Sequence, residues 1–400
     1  MAVLITLSGP DRPGVSQAFF AAMDVLPILV IDVEQVVTSG QLILASLMVP
    51  EPASHQSQRD RDLTLAAIET TASTVVASLG LSLTFERRPT SEGADVATQT
   101  HVTVLGSSLR PGALATIART VAECGGNIEN IERLAAYPVT AIELHVSGAD
   151  QQVLRTRLTA EAASASIDVA VQPGGLHRRA KRLILMDVDS TLIQGEVIEM
   201  IAAHAGREAE VAAITESAMA GEVDFTESLH RRVALLAGLD AGVLDVVASA
   251  VVLTPGARTL VRTLRRLGYQ CGIVSGGFDF VTDRLAAELG LDFAVANRLE
   301  VRDDVLTGAV REPVVDRRAK AQALRDFAKR ANVPLAQTVA IGDGANDLDM
   351  LQMAGLGIAF NAKPLVREAA DTSVNVPYLD TILFLLGISR EEVEVADGEG

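Results

Sequence analysis

Tryptophan is absent from the 400 residues, and aromatic side chains make up only 3%. Cores built with so few rings must come from aliphatic side chains, and a hydrophobic content of 48% supplies them. Alanine, valine and leucine dominate, which suits helices packed on parallel sheets, and the length allows roughly two to four domains. Cysteine is nearly absent too. Cys124 and Cys271 lie far apart in apolar contexts with neither metal-ligand nor redox spacing, so buried reduced thiols in a cytoplasmic protein are expected. Basic residues are outnumbered, 34 Lys and Arg against 51 Asp and Glu, for a net charge of −17. That balance argues against nucleic-acid binding, which needs a basic face. An anionic substrate must then be drawn in by local cations rather than by the overall field. No apolar run reaches the length of a membrane span. The chain opens directly into Val3-Leu4-Ile5-Thr6-Leu7 without a basic start, so no signal peptide is expected. Glu391 to Gly400 reads as an acidic, solvated tail.

What is present begins with a repeat. Leu7-Ser8-Gly9-Pro10-Asp11-Arg12-Pro13-Gly14 aligns with Leu105-Gly106-Ser107-Ser108-Leu109-Arg110-Pro111-Gly112. At the same offset Val30, Asp32, Val33 and Glu34 meet Ile128, Asn130, Ile131 and Glu132. Each copy reads as strand, turn, helix, two strands, helix, strand, the ferredoxin-like βαββαβ order. The predicted domains are 1–88 and 99–173, with linkers at Arg87–Thr98 and Pro173–Lys181. The Arg-Pro-Gly turn and the element order resemble ACT domains, modules that commonly bind amino acids between copies. Proline at a first helical position followed by glycine lets backbone N–H groups approach a ligand carboxylate; the plainer reading is a turn that merely starts a helix. Only the first copy keeps an acid in the turn, Asp11, and only the second has Gly126-Asn127. The resemblance therefore implies a composite regulatory site from Asp11, Gly14, Gly106, Gly112 and Asn127, most easily across a homodimer, with serine as the ligand.

From Arg182 onward strands alternate with helices, implying a doubly wound parallel sheet. Leu183-Ile184-Leu185-Met186 reads as a buried strand that runs out at Asp187-Val188-Asp189-Ser190-Thr191. Side chains at i and i+2 of a strand point the same way, so both carboxylates are expected to face one spot. There they need a shared proton or a cation; a helix cap plus a stray acid is the plainer alternative. Three further signals fall at strand ends or helix starts: Val274-Ser275-Gly276-Gly277, Lys320 between alanines, and Gly342-Asp343-Gly344-Ala345-Asn346-Asp347. Singly they are a glycine turn, a surface lysine and an acidic loop; in this order they reinforce one another. The block from about 196 to 252 is predicted helical, an insertion placed to cover the crevice.

Together these motifs resemble the haloacid dehalogenase superfamily of phosphotransferases over about residues 182–387. The resemblance implies a Rossmann-like domain at 182–390 with a helical cap at about 196–252. It also implies Asp187 as nucleophile, Asp189 as acid and base, and Ser275, Gly276 and Lys320 on the phosphoryl oxygens. Mg²⁺ would sit on Asp187, the Asp189 carbonyl and Asp343, with Asn346 orienting substrate and Asp347 behind the ligands. Within the superfamily the match narrows to the members that hydrolyse phosphoserine, with Glu196 for the substrate ammonium, Arg232 for its carboxylate, and Met219 and Phe225 as an apolar lid. Arg231 beside Arg232 leaves open which of the two faces inward. The rival readings are another small-molecule phosphatase or phosphotransferase of the superfamily, and a non-catalytic amino-acid sensor.

Overall fold

The computed structural model describes residues 1–51, 57–89, 99–175, 178, 180–219 and 224–398. The chain divides into two compact units, Met1–Val96 and Ala97–Gly400. In the first, β1 (Ala2–Pro10), a helix at Val15–Met23, β2 (Ile28–Thr38), β3 (Gln41–Pro50), a helix at Gln58–Leu79 and β4 (Ser82–Arg88) follow the predicted ferredoxin-like order. The sheet is antiparallel in the order β2-β3-β1-β4. Val3, Ile5 and Leu7 alternate along β1 to one face and pack on Phe19, Leu65, Ile68 and Ala72 of the helices. Ser57 and Asp60 close a capping box at the start of the second helix, and Gly80 ends it in the left-handed conformation. Strand β2 lies at the edge, with Val30, Ile31, Val33 and Val36 exposed.

The second unit begins with the repeat: β5 (Thr100–Gly106), a helix at Pro111–Glu123, β6 (Asn127–Ala135), β7 (Thr140–Ser147), a helix at Gln151–Ala165 and β8 (Asp168–Pro173). Both faces of this sheet are covered. Val102, Val104, Leu144 and Val146 pack under its own helices, whereas Leu105, Ala141 and Ala170 join the core of the sheet that follows. Glu143 lies buried on that second face.

Seven strands form the third sheet, in the order β12-β11-β10-β9-β13-β14-β15. They are β9 (Leu183–Met186), β10 (Gln270–Phe278), β11 (Phe293–Arg302), β12 (Val305–Arg311), β13 (Thr338–Gly342), β14 (Gly357–Phe360) and β15 (Thr372–Val374). All neighbours are parallel except β11 and β12, which form a hairpin. The chain fills one side of β9 first and the other side afterwards, so order reverses between β9 and β13. The crevice beyond their carboxyl ends is where such sheets bind ligands. Helices Val197–His204, Glu208–Met219, Phe225–Ala234 and Val243–Ala250 intervene between β9 and β10. This insertion leaves and returns through one stem, where Gln194 N–H donates to Val252 and Thr254 N–H to Leu192.

Three expectations need correction. Residues Arg390–Gly398 form a helix rather than a solvated tail. Val393 is buried, and Asp397 pairs with Arg262 and Arg266 on a distant helix, partners that local composition does not reveal. Cys124 is half-buried; only Cys271 is fully inside. In the segment read as a linker before β9, Arg178 is buried against Glu143 and donates to the carbonyls of Phe384 and Leu385. Residues 90–98 of the other linker lie outside the described residues.

Candidate active site

Strand β9 delivers the first acid. Asp187 N–H donates to the Ile341 carbonyl at 2.9 Å, so the ladder with β13 reaches it. Then the backbone breaks from strand geometry: Ser190 takes φ 57° and its N–H turns back to the Gly195 carbonyl at 3.0 Å. Both carboxylates line one cavity, as expected, but they take different partners. Asp189 accepts from Val197 N–H at 2.8 Å and from Ser275 Oγ at 3.0 Å.

Asp187 faces the cation. Lys320 is fully buried, and its Nζ donates to Asp187 Oδ1 and Asp347 Oδ1, each at 2.7 Å. Its helix, Arg317–Arg330, is started by Asp316, whose side chain accepts from Ala319 N–H. Burial alone would strip the lysine of its proton, but the two carboxylates hold it charged. Asp187, Asp343 and Asp347 bring carboxylate oxygens within 4.8 Å of one another. Asp347 thus stands in the carboxylate cluster itself, while also accepting from Gly344 N–H at 3.0 Å. Thr191 Oγ1 donates to Asp343 at 3.1 Å. Burial and the charge of Asp347 raise the Asp187 carboxyl well above its ordinary range, and the same causes push Asp343 to about 7. Three acids facing one ammonium leave negative charge uncompensated. An all-oxygen donor set of this kind fits a hard divalent cation.

The end of β10 supplies the donors. Ser275 Oγ accepts from Gly277 N–H at 2.7 Å. A side chain on either glycine would displace a neighbour: a Cβ on Gly276 would stand 2.8 Å from Phe225, and one on Gly277 2.5 Å from Asp189. Gly276 and Gly277 line a cavity of about 760 Å³ together with Asp187, Asp189, Asp343 and Asn346, and with Glu196, Phe225 and Arg232 from the insertion. Glu196 accepts from Ser190 Oγ at 2.9 Å, and burial together with Asp189 pushes it up to about 7. Arg232 is buried, with Nη1 3.4 Å from Thr215 Oγ1, whereas Arg231 is exposed and pairs with Glu227. The side chain of Met219 lies outside the described residues.

Sequence reasoning gave no role to Thr191, Ser190, Thr215 or Lys363, which bond to or line this site. Thr191 belongs to the Asp-x-Asp-x-Thr motif, and Lys363 follows the end of β14, so both carried a strand-end signal. Thr215, deep in the insertion, carried none. The residues expected to form a regulatory site fall in two places. Asp11 is exposed with its N–H on the Gly40 carbonyl, and Gly14 has φ 93°. In the second unit Gly106 ends β5, Gly112 lies in the first turn of its helix, and Asn127 is exposed at the start of β6.

A family model described as haloacid dehalogenase-like hydrolase matches residues 184–352, and ACT-domain models match 1–85 and 98–172. A phosphoserine phosphatase of Streptomyces coelicolor is 56% identical over 99% of this chain and 94% of its own. One from Mycobacterium tuberculosis is 52% identical over 99% and 96%. Among solved structures, a HAD-family hydrolase of Salmonella enterica superposes with a TM-score of 0.63 at 30% identity, over 72% of this chain and 98% of that one. A phospho-aspartyl intermediate analogue of a phosphoserine phosphatase gives 0.50 at 44% identity, over 51% and 98%.

Proposed function

The chain belongs to the phosphoserine phosphatase family of haloacid dehalogenase-like hydrolases, with two ACT domains ahead of the catalytic domain, and on that premise we propose how its residues divide the work. The reaction is hydrolysis of O-phospho-L-serine to L-serine and phosphate. Asp187 attacks phosphorus as the seryl oxygen leaves, forming an aspartyl-phosphate. Asp189, whose carboxyl burial raises, protonates that oxygen and then takes a proton from the water that cleaves the acyl phosphate. Ser275, the Gly276 N–H and Lys320 hold the equatorial oxygens, where charge spreads during transfer. Glu196 pairs with the substrate ammonium, and Arg232 clamps its carboxylate. Asn346 orients the substrate, and Phe225, with Met219, closes the apolar side. Asp187, Asp343 and the Asp189 carbonyl are the groups to hold Mg²⁺. Bound there, it offsets repulsion between an anionic nucleophile and an anionic phosphate. Asp347 keeps Lys320 in place. The observation that carries this reading is the split of the two aspartates: Asp187 on Lys320 at 2.7 Å, Asp189 on Ser275 at 3.0 Å.

The regulatory reading takes L-serine as the ACT ligand, held by Asp11, Gly14, Gly106, Gly112 and Asn127 in a cytoplasmic homodimer. The open, apolar edge strand β2 supports pairing between copies. Among the described residues no helix is long and apolar enough to cross a membrane.

One assay tests substrate, metal and regulator together. Phosphoserine will be hydrolysed faster than phosphothreonine or phosphoglycolate, chelation of divalent ions will stop turnover and Mg²⁺ will restore it, and added serine will change the rate. Preference for phosphoglycolate overturns the substrate assignment, and a rate indifferent to serine overturns the ligand assignment.

A second expectation concerns pH. Glu196 attracts the substrate ammonium only when ionised, and its carboxyl is raised to about 7. The KM for phosphoserine will therefore fall as pH rises through about 7 and then level off. Glu196→Gln will flatten that dependence and leave KM high throughout; a variant that keeps the wild-type pH profile removes Glu196 from the site.

A further inference from the structure

We propose that Asn297 is a positioning residue of the phosphoryl site, fixing the Ser275–Gly277 loop against the start of the helix that carries Lys320. Strands β10 and β11 pair in register up to Val274 with Val295, and again at Phe278 with Asn297. Ser275, Gly276 and Gly277 therefore bulge out opposite Ala296 alone. Such a bulge re-aims side chains and N–H groups but takes its carbonyls out of the ladder. A buried carbonyl then needs a donor from elsewhere.

Asn297, 1% exposed, supplies it: Nδ2 donates to the Gly276 carbonyl at 2.8 Å. The other half of the same amide, Oδ1, accepts from Val315 N–H at 2.7 Å. One partner is only an acceptor and the other only a donor, so the amide has a single satisfied orientation. Val315 precedes Asp316, the residue that starts the helix of Lys320. One planar group thus sets the spacing between the Gly276 N–H and the Lys320 ammonium, both assigned to the phosphoryl oxygens. The inference rests on the phosphoserine phosphatase reading and adds to it a residue that does not line the cavity.

Asn297→Asp separates the two halves of the amide. Its carboxylate still accepts from Val315 N–H but meets the Gly276 carbonyl with a second acceptor, displacing the loop while the helix start is kept. The kcat for phosphoserine will fall about 10²-fold, the scale set by misplacing a reacting group by about 1 Å. KM will change by less than about threefold, because Glu196 and Arg232 still bind the serine part. The deficit relative to wild type will narrow as pH is lowered, since a protonated carboxyl donates as the amide did, and a merely structural role would not produce that. Asn297→Ala, which loses both halves, will fall at least as far in kcat. A folded Asn297→Asp variant with kcat within about threefold of wild type overturns the inference. A wild-type protein that leaves phosphoserine intact overturns the functional reading instead. Should both variants fail to fold, NMR of the wild type decides. The Asn297 side-chain amide protons will exchange slowly and shift when orthovanadate is added, and exchange as fast as that of exposed asparagines refutes the role.

Discussion

Asp187→Asn will lower kcat by about 10⁴-fold or more, the scale of losing a nucleophile whose partners remain. The substitution is isosteric and keeps an oxygen to accept from Lys320, so the 2.7 Å contact survives while nucleophilicity does not. Stability will move the other way. In the folded chain burial, then Asp347, raises the Asp187 carboxyl above its unfolded value. An acid raised in this way weakens folding once pH exceeds the unfolded value, and the penalty grows until the folded value is passed. At neutral pH and without divalent ions, the asparagine variant will therefore melt higher than wild type. Differential scanning calorimetry in chelator, beside a phosphate-release assay, reads both effects. Undiminished turnover would falsify the nucleophile assignment. A lower melting temperature would show that the acid cluster is not repulsive.

The largest stability effect is expected far from the chemistry, at Glu143. Its carboxylate is buried on the second face of the ACT sheet between His101 at 3.0 Å, His145 at 3.2 Å and Arg178. Arg178 in turn caps the carbonyl end of the helix Ile382–Leu385 of the catalytic domain. Burial by itself would push the carboxyl up. Hydrogen bonds from His101 and Arg178, with their charges, more than reverse this and hold it at about 2. The displacement from the ordinary 4.5 to about 2 corresponds to about 3 kcal/mol. Because the folded value is the lower one, that stability is present above about pH 4.5 and is lost as pH falls towards 2. Glu143→Gln leaves the Arg178 guanidinium buried without its counter-charge, a loss of about 3–5 kcal/mol. The gap in melting temperature between wild type and variant will be widest near neutrality and will close as the solution is acidified from pH 5. A gap that stays constant through that range would mean that the carboxylate charge contributes nothing.

The repeat, the alternation of strands with helices, and the acids and glycines at strand ends are local features. Periodicity and turn chemistry fix them within a few residues, so the sequence by itself determined the ferredoxin-like pair and the doubly wound sheet, and the grouping of Asp187, Ser275, Lys320 and Asp343 is what the resemblance of their motifs to the haloacid dehalogenase superfamily implied. Three of the four converge because strand ends on one side of a reversed sheet have nowhere else to point, and Lys320 joins them from the first turn of its helix. Contacts decided the rest. Asp187 and Asp189 line one cavity but take different partners, Lys320 and Ser275, and no spacing rule anticipates that split. Arg232 rather than Arg231 enters the cavity because of how the insertion packs, and two adjacent arginines look identical without it. Asn297 matters through a bulge in a neighbouring strand, and the last helix docks through buried Val393 and through Asp397 on Arg262 and Arg266. Such pairings join residues far apart in sequence, and their energies arise from burial and hydrogen-bond direction, which exist only once the chain has closed on itself.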